Sequence, residues 1–361
     1  MSQVKLDDIK NAYNRINKYL NRTELVTSEL LNQEIGAQVF LKPEQLQKTG
    51  SFKIRGALSA MTLLDKKQLQ NGVIAFSSGN HAQGIAYAAK LLNSTAVIVM
   101  PKDAPKIKIK KTKALGARVI FYDRQKDIRE EIGETIALKE NRTLIKPFDS
   151  THVISGQGTA ALEVIEAEKN NKKFDAAIIC TSGGGLTAGT SIVLKNHNPN
   201  CKIYTAEPAA WNDHQQSFLA NKRIYIKDIE HGICDALESP FPGIITFAIN
   251  NKNKVKGLSV DDTEIGKNTY LDNQVHIAHN VKIGSNCMIA GQVGFAGSST
   301  LGNNVSIGGQ AGISGHLKIG NNVKIGGGSG VVKNIEDNQI VMGYPAIPFK
   351  DFVKKNKKNN G

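Results

Sequence analysis

Apolar runs alternate with amphipathic stretches from the N-terminus to about position 260, and this alternation predicts a parallel sheet covered by helices. Short apolar runs rich in β-branched residues predict buried strands, and apolar residues at helical spacing predict the helices between them. Alternation of this kind is typical of α/β proteins. The strands are expected at 39–43, 73–76, 96–100, 119–122, 176–180 and 202–206, and the helices at 6–20, 53–64, 82–92, 106–115, 158–169 and 187–195.

A different pattern begins at Ile265, where an apolar residue recurs at every sixth position without a slip. This period predicts a parallel β-helix with three short faces per coil, in which each coil consists of three hexapeptides and the repeats make four coils. Helices of this repeat type are left-handed as a family, so we expect that hand here. The recurring residues are Ile265, Leu271, Ile277, Ile283, Ile289, Phe295, Leu301, Ile307, Ile313, Ile319, Ile325 and Val331.

The two patterns predict the domain organisation. We expect an α/β domain over residues 1–260, with a smaller lobe at about 50–145, and a left-handed parallel β-helix over 261–340. A basic tail over 341–361 completes the chain, and its lysines are most simply a solvated end.

Composition narrows the function classes only slightly. The net charge of +14 comes from lysines scattered along the chain, with no nucleic-acid motif, so nucleic acid is not an expected partner; a compositional bias and an acidic protein partner both stay open. No run reaches the roughly 18 apolar residues of a membrane span, and Met1 to Asp8 lacks a secretory core, so we expect a cytoplasmic protein. The four cysteines show no disulfide or zinc spacing.

Lys53 lies between Phe52 and Ile54, just ahead of a predicted helix. Apolar neighbours disfavour the ammonium form, and the neutral amine is a nucleophile that can form a Schiff base. The same pattern also fits a surface lysine whose stem lies along apolar side chains while its amine stays in water. Other motifs are needed to decide between these interpretations.

Two predicted strand-to-helix turns indicate which groups of a ligand could bind near this amine. The turn after the strand at 176–180 exposes backbone N–H groups at a helix N-terminus, which suits a phosphate, although a turn without a ligand is the alternative. The turn from Ser77 to His81 is rich in donors for a carboxylate. A cofactor that carries a phosphate and a reactive carbonyl, bound next to an amino acid, would use Lys53 and both turns. Pyridoxal phosphate is the simplest candidate. The phosphate turn consists of Ser182, Gly183, Gly184, Gly185 and Leu186.

These motifs, in this order, resemble the serine/threonine dehydratase and serine racemase group of fold-type II pyridoxal-phosphate enzymes. The resemblance runs from about residue 5 to residue 264 and ends before the helix and strand that close the large domain of that group. The segments that carry it are Leu41-Lys42-Pro43-Glu44, Ser51-Phe52-Lys53-Ile54-Arg55-Gly56-Ala57, Ser77-Ser78-Gly79-Asn80-His81, Ser155-Gly156-Gln157-Gly158-Thr159, Ser182-Gly183-Gly184-Gly185-Leu186 and Glu207-Pro208.

The resemblance implies a role for each motif. Lys53 would be the Schiff-base lysine and the base that removes the α-proton, after which loss of a β-hydroxyl gives a 2-oxo acid and ammonia. Ser78, on the opposite face, would return a proton to the α-carbon as in the racemases, so dehydration and racemisation both stay open. Asn80 would contact the ring hydroxyl, and Ser182 to Leu186 the phosphate. The substrate carboxylate would lie among Ser77, Ser78, Asn80 and His81.

The resemblance also implies a divalent-metal site at Glu207, the carbonyl of Trp211, and Asp213. Carboxylate and carbonyl oxygens are ligands suited to Mg²⁺ or Ca²⁺. A solvated acidic turn is the alternative interpretation.

The β-helix, over about 265–355, looks like the acyl carrier protein-dependent N-acyltransferase of lipid A synthesis, which acylates UDP-3-O-acylglucosamine. The resemblance implies His279 as the general base, the N–H of Gly297 as an oxyanion donor one coil away, and His316 at the acyl donor. An acyl carrier protein would then be a partner. The segments are Leu271-Asp272-Asn273, His276-Ile277-Ala278-His279-Asn280-Val281, Ala296-Gly297-Ser298, Gly315-His316 and Gly343-Tyr344-Pro345-Ala346.

Three hypotheses follow. The first is a pyridoxal-phosphate ammonia-lyase or racemase, acting on serine, threonine or a related hydroxy amino acid, with an appended β-helix. The second is an N-acyltransferase whose uridine-binding domain and early coils are replaced. The third is an inactive join of two truncated enzymes, since Asp261 to Gly266 fits both families. A homo-oligomer is expected, either a trimer through the β-helix or a dimer through the α/β domain.

Overall fold

The computed structural model describes residues 4–77, 79–168, 173–226, 234–260, 263–278 and 280–358. The chain divides into two compact units, with the main boundary after Ser259 and with short earlier segments, such as Pro208–Ala210, grouped with the second unit. Among the helices in these ranges, none is long and apolar enough to cross a bilayer.

The first unit contains helices and two sheets. The helices are α1 Leu6–Ile16, α2 Glu29–Ile35, α3 Lys53–Met61, α4 Lys66–Asn71, α5 Asn80–Leu91, α6 Lys106–Ala114, α7 Arg129–Lys139, α8 Thr151–Glu166, α9 Gly185–His197, α10 Asp213–Leu219 and α11 Ile244–Lys252. The strands are β1 Val73–Phe76, β2 Ala96–Pro101, β3 Arg118–Tyr122, β4 Thr143–Leu144, β5 Ala176–Cys180, β6 Lys202–Pro208 and β7 Lys256–Val260.

The four-stranded sheet has the order β3-β2-β1-β4, and all of its pairs are parallel. Strands β1 and β2 are buried along their whole length, as expected for strands covered on both faces. The predicted α/β class is therefore confirmed. One predicted strand is wrong: residues 39–43 form only an isolated bridge from Leu41 to Val26, too little pairing to make a strand.

Helices α3, α8 and α9 pack closely because glycines stand where they meet. A Cβ on Gly156 of α8 would lie 2.4 Å from the Arg55 carbonyl oxygen of α3, and one on Gly189 of α9 would lie 2.5 Å from the Gly158 nitrogen. Only glycine permits backbones to approach this closely. The motif at 155–159 therefore lies inside α8, which begins at Thr151 rather than at the predicted Gly158.

The second sheet of this unit has the order β5-β6-β7, and one of its faces is open to solvent. Ile179 of β5 and Ile203 of β6 are buried in a cluster with Leu194 of α9. On the other face Ile178 is 68% exposed and Leu258 is 38% exposed. Parallel strands are normally covered on both faces, whereas the described residues leave apolar side chains of this face exposed.

The second unit is a parallel β-helix built from two-residue strands, and the predicted hexapeptide fold is confirmed. All twelve recurring apolar residues stand at the second position of their strands. The strands are β8 Glu264–Ile265, β9 Tyr270–Leu271, β10 His276–Ile277, β11 Lys282–Ile283, β12 Met288–Ile289, β13 Gly294–Phe295, β14 Thr300–Leu301, β15 Ser306–Ile307, β16 Gly312–Ile313, β17 Lys318–Ile319, β18 Lys324–Ile325 and β19 Gly330–Val331.

Each strand from β8 to β16 pairs in parallel with the third strand after it, as Ile283 of β11 does with Leu301 of β14, and the pairs form three sheets. The corners repeat as well. Asn286, Asn304 and Asn322 all adopt positive φ near 58–59°, a left-handed conformation that asparagine tolerates better than most residues.

Residues beyond the coils, predicted as a tail, contain regular structure. Strand β20 Ile340–Met342 pairs with β18, β21 Ile347–Pro348 pairs antiparallel with β20, and α12 Phe349–Lys358 follows. The third sheet of the β-helix is thereby extended beyond its fourth coil.

Candidate active site

Lys53 is the first residue of α3, and its amine faces the interior of the first unit. Its Nζ donates a hydrogen bond to the Pro147 carbonyl oxygen at 3.1 Å and lies 5.4 Å from the centre of the Phe52 ring. Burial lowers the pKa of Lys53 to about 8, because the ammonium form loses its hydration. A substantial fraction of this amine is therefore neutral and nucleophilic near physiological pH.

Helix α5 packs against the backbone of Lys53. A Cβ on Gly84 of α5 would lie 3.2 Å from the carbonyl carbon and oxygen of Lys53, so glycine lets α5 hold the start of α3 closely. The contact fixes the lysine against the helix that begins at Asn80. The predicted carboxylate turn and the predicted Schiff-base lysine are thus brought together.

Hydrogen bonds from backbone nitrogens hold the turn before α5 in place. The Ser77 nitrogen donates to the Val99 carbonyl at 3.0 Å, and the Ser77 hydroxyl accepts from the Gly79 nitrogen at 3.1 Å. Asn80 is the first residue of α5. Ser78, predicted to return a proton to the α-carbon, lies outside the described residues.

His81 is only 2% exposed and lies in the first turn of α5. Burial, assisted by the charge of Lys53, lowers its pKa to about 3, so the ring is neutral. Its Nε2 lies 3.1 Å from the Ile145 carbonyl, which can only accept, so this nitrogen carries the proton. Within the described part of the chain its Nδ1 has no hydrogen-bond partner and is left as a buried acceptor.

The glycine turn joins β5 to α9 and is packed from two sides. A Cβ on Gly183 would lie 2.3 Å from the Phe148 ring, and one on Gly184, whose φ is +87°, would lie 2.7 Å from Cε1 of His214. Gly185 is the first residue of α9, where unpaired backbone N–H groups can bind an anion.

The start of helix α11 also contacts and stabilises this turn. The Thr246 hydroxyl of α11 donates to the Gly183 carbonyl at 2.7 Å. The Asp149 carboxylate in turn accepts from the Ile245 nitrogen at 2.8 Å and the Ile244 nitrogen at 3.0 Å, and so caps α11. Sequence reasoning missed Phe148 and Asp149, although the polar interruption between β4 and α8 marks where they stand.

Glu207 and Asp213 are both fully buried. Glu207 accepts from the nitrogens of His214 at 2.8 Å and Gln215 at 3.0 Å. Across the described residues, neither carboxylate oxygen of Asp213 has a hydrogen-bond partner. Burial raises the pKa of both groups, and for Asp213 the charge of Glu207 adds to the effect. The alternative of a solvated acidic turn is therefore wrong.

A buried ion-pair cluster lies two residues along α3 from Lys53. Arg55, with no exposed surface, donates to Glu163 of α8 at 2.7 and 2.9 Å and to Glu44 at 2.7 and 2.8 Å. Lys42 also contacts Glu163, at 2.6 Å. Burial alone would lower the pKa of Arg55, but the two carboxylates hold it above its ordinary value. The cluster ties α3, α8 and the 42–44 segment together.

In the second unit, Gly297 follows β13 and His316 follows β16, so the two residues lie at the same corner of adjacent coils. The His316 nitrogen donates to the Gly297 carbonyl at 3.1 Å, and the His316 side chain is exposed. His279 lies outside the described residues. A groove of about 560 Å³ lies on a different face, the one formed by β9, β12, β15, β18 and β20, where Tyr270, Met288 and Phe349 line it.

The residues around Lys53 fit pyridoxal phosphate. The amine is buried with a lowered pKa, and the glycine turn is so closely packed that no Cβ would be accommodated there. Buried polar atoms with no partner among the described residues, Thr49 Oγ1, His81 Nδ1 and both amide atoms of Gln157, are available to a bound group.

Fewer observations support a metal ion at Asp213 than support pyridoxal phosphate at Lys53. Its unpartnered buried oxygens are suited to a hard cation. The described part of the chain contains no group of three or more His, Cys, Asp or Glu side chains placed to hold a metal ion. The predicted metal ligands are two carboxylates and one backbone carbonyl, so only two of the three ligands are side chains.

Comparison with known proteins identifies relatives of both units. Residues 16–268 match the family model described as pyridoxal-phosphate dependent enzyme, and residues 262–297 match the one described as bacterial transferase hexapeptide (six repeats). The two matches share residues 262–268, which overlap the segment from Asp261 to Gly266 that resembles both families.

The relatives match most of their own length. A serine racemase of Schizosaccharomyces pombe is 44% identical over 72% of this chain and 79% of its own length. An L-threo-3-hydroxyaspartate ammonia-lyase of a Pseudomonas species is 45% identical over 72% and 80%. The crystal structure of a Dictyostelium discoideum serine racemase superposes with a TM-score of 0.67 at 38% identity, covering 72% of this chain and 82% of the other. This chain therefore belongs to the pyridoxal-phosphate dependent enzyme family, and a hexapeptide-repeat unit follows its catalytic fold.

Proposed function

We propose that the first unit is a pyridoxal-phosphate dependent ammonia-lyase or racemase that acts on a β-hydroxy amino acid. Serine, threonine and threo-3-hydroxyaspartate are the candidate substrates. The observation that carries the proposal is the buried Lys53 amine at the start of α3, held by Gly84 against the helix that begins with the carboxylate turn.

Each group of this chain has a task in that reaction. The glycine turn and the first turn of α9 bind the phosphate, while Ser77, Asn80 and His81 hold the substrate carboxylate beside Lys53. The Lys53 amine takes the proton from the α-carbon, which its lowered pKa allows near neutral pH. When bound, pyridoxal phosphate withdraws electrons from that carbon. Ser78 remains our proposed proton donor on the opposite face for racemisation.

We assign Glu207, Asp213 and the Trp211 carbonyl to a Mg²⁺ or Ca²⁺ ion with a structural role. A divalent cation would offset the two buried carboxylates and favour their ionised forms. Added Mg²⁺ should raise the melting temperature of the wild-type protein and leave that of Asp213→Asn unchanged. An equal shift in both proteins, or none in the wild type, would contradict the assignment.

The decisive experiment compares Lys53→Ala with Lys48→Ala, an exposed lysine in the preceding turn. Incubation with pyridoxal phosphate should give the wild type and Lys48→Ala the visible absorbance of a protein-bound imine. Addition of L-serine or threo-3-hydroxyaspartate should change the spectrum, with release of ammonia or of the other enantiomer. A band that persists in Lys53→Ala would refute the assignment.

A second candidate function is N-acyl transfer by the β-helix from an acyl carrier protein. The match to the transferase hexapeptide family supports it. Acyl transfer to UDP-3-O-acylglucosamine, lost in His316→Ala, is the test. If neither unit is active, the chain is an inactive join of two enzymes. Whether it forms the expected trimer or dimer can be measured by light scattering.

A further inference from the structure

The phosphate turn contains three backbone carbonyls, at residues 182–184, whose partly negative oxygens would repel a bound anion. A peptide bond is planar, and in its trans form the C=O and N–H groups point in opposite directions. Among the described residues the single cis peptide bond is Tyr344–Pro345, so the peptide bonds of the turn are trans. Groups that hold these carbonyls on one side of the turn therefore present the N–H groups of residues 183–185 on the other side.

Helix α11 supplies buried side chains for two of these carbonyls. Thr246, in its first turn, donates from its hydroxyl to the Gly183 carbonyl at 2.7 Å, and the same oxygen accepts from the Gly243 nitrogen at 3.3 Å. Asn250 lies one helical turn further along, with its Nδ2 3.5 Å from the Gly184 carbonyl oxygen. Thr246 and Asn250 have no exposed surface, so water does not compete with them for the carbonyls.

Helix α10 brings His214 to the third carbonyl. The ring is fully buried, and a Cβ on Gly184 would lie 2.7 Å from its Cε1 and 3.0 Å from its Nε2. Burial lowers the pKa of His214 to about 4, against the opposing effect of the Ser182 carbonyl, so the ring is neutral. Within the described part of the chain neither ring nitrogen has a hydrogen-bond partner. The neutral ring carries one N–H, which is available to the Ser182 carbonyl.

We infer that His214, Thr246 and Asn250 are positioning residues that orient the phosphate turn. They hold the carbonyls of residues 182–184 toward α10 and α11, and the N–H groups of residues 183–185 therefore face the phosphate. Peptide groups that are oriented before the ligand arrives need no reorganisation on binding, so the same N–H groups bind the anion more tightly. This inference rests on the proposed function, because it takes phosphate as the group that the turn binds.

The test compares Thr246→Val, which keeps the shape of the side chain but removes its hydroxyl, with Thr112→Val. Thr112 is equally buried and donates to the Lys108 carbonyl at 2.9 Å, within α6. The affinity for pyridoxal phosphate should fall about 5- to 30-fold in Thr246→Val, because one hydrogen bond that orients the turn is lost. The affinity for pyridoxal, which has no phosphate, should not change. Thr112→Val should match the wild type with both ligands.

Two further variants separate orientation of the turn from general stability. Thr246→Ser retains the hydroxyl and should regain most of the wild-type preference for pyridoxal phosphate over pyridoxal. His214→Phe keeps an aromatic ring against Gly184 but has no N–H, so it should lower that preference as Thr246→Val does. An equal loss of affinity for both ligands, or an unchanged preference in Thr246→Val or His214→Phe, would overturn the inference.

Inorganic phosphate provides a measurement that does not depend on the imine. At matched ionic strength, phosphate should raise the melting temperature of the wild type and of Thr112→Val more than that of Thr246→Val. An equal rise in all three proteins would contradict the inference. A wild-type protein that phosphate stabilises but that shows no imine band with pyridoxal phosphate would instead contradict the proposed function, so the two failures are distinguishable.

Discussion

At the scale of single residues, Lys53 shows how local packing sets reactivity. The residue is near the start of a helix and its amine is exposed to little water, so its pKa falls to about 8 from the ordinary lysine value of 10.5. The nearby His81 is neutral for the same reason, and therefore does not repel a protonated lysine. Burial lowers the pKa of Lys53 and is the largest cause of the lowered pKa of His81.

The lowered pKa predicts the pH dependence of cofactor capture. Only the neutral amine attacks an aldehyde, so the rate of imine formation should rise with pH up to about 8 and level off above it. The measurement is stopped-flow absorbance after mixing with pyridoxal phosphate, with N-acetyl-lysine as the reference amine. A rate that keeps rising through pH 10, as for the reference, would show that the amine is not desolvated.

Gly183 gives a prediction about the phosphate turn. Gly183→Ala should weaken pyridoxal phosphate binding by at least about tenfold, because the new Cβ would overlap the Phe148 ring and displace the turn. Adding Phe148→Ala should restore part of the affinity by making room. Gly294→Ala, where a Cβ meets nothing within 4 Å, is the matched control. Wild-type affinity in the single variant would disprove this account.

At the scale of elements, the Arg55 cluster holds the start of α3 in place. Arg55→Met should lower the unfolding free energy of the first unit by about 3–5 kcal/mol, because two buried carboxylates lose their partner. Fluorescence of Trp211, the single tryptophan, reports that unfolding in urea.

The control for this prediction is Arg22→Met. Arg22 pairs with Glu166 at 2.9 Å, but both side chains are about half exposed, so its loss should cost less than about 1 kcal/mol. Equal losses in the two variants would mean that burial does not strengthen the cluster.

The sequence predicted the elements in which local pattern and tertiary packing agree. The twelve apolar residues from Ile265 to Val331 fall in strands because one period governs every coil. The predicted start of α8 is too late because a glycine such as Gly156 is unfavourable inside a helix, and its close contact with Arg55 of α3 is visible only in the folded chain. The same applies to the site: Lys53 and the glycine turn are contiguous motifs, whereas Phe148 and Asp149 contact the turn and α11 from a distant segment.

At the scale of the whole molecule, the open face of the β5-β6-β7 sheet is the main departure from a closed α/β fold. About a fifth of the S. pombe serine racemase lies outside its match to this chain. Apolar residues on this face, Ile178 and Leu258, are in contact with water, and exposed apolar surfaces favour association.

Adjacent residues of β5 provide the test. Ile178→Lys should reduce association, measured by light scattering at rising protein concentration, without lowering the melting temperature, because Ile178 is on the open face. Ile179→Lys should lower stability by about 4 kcal/mol or more, since its side chain faces α9 and is 8% exposed. Equal effects would mean that both faces of the strand are covered in solution.

The regular pairing of each strand from β8 to β16 with the third strand after it has an engineering consequence. After a full coil the chain returns to the same corner, one strand spacing of about 4.8 Å further along the axis. Excising or duplicating one whole coil, that is three consecutive hexapeptides, should therefore change only the height of the prism and leave every later side chain pointing in its original direction. Excising a single hexapeptide would instead rotate everything beyond it by one third of a revolution.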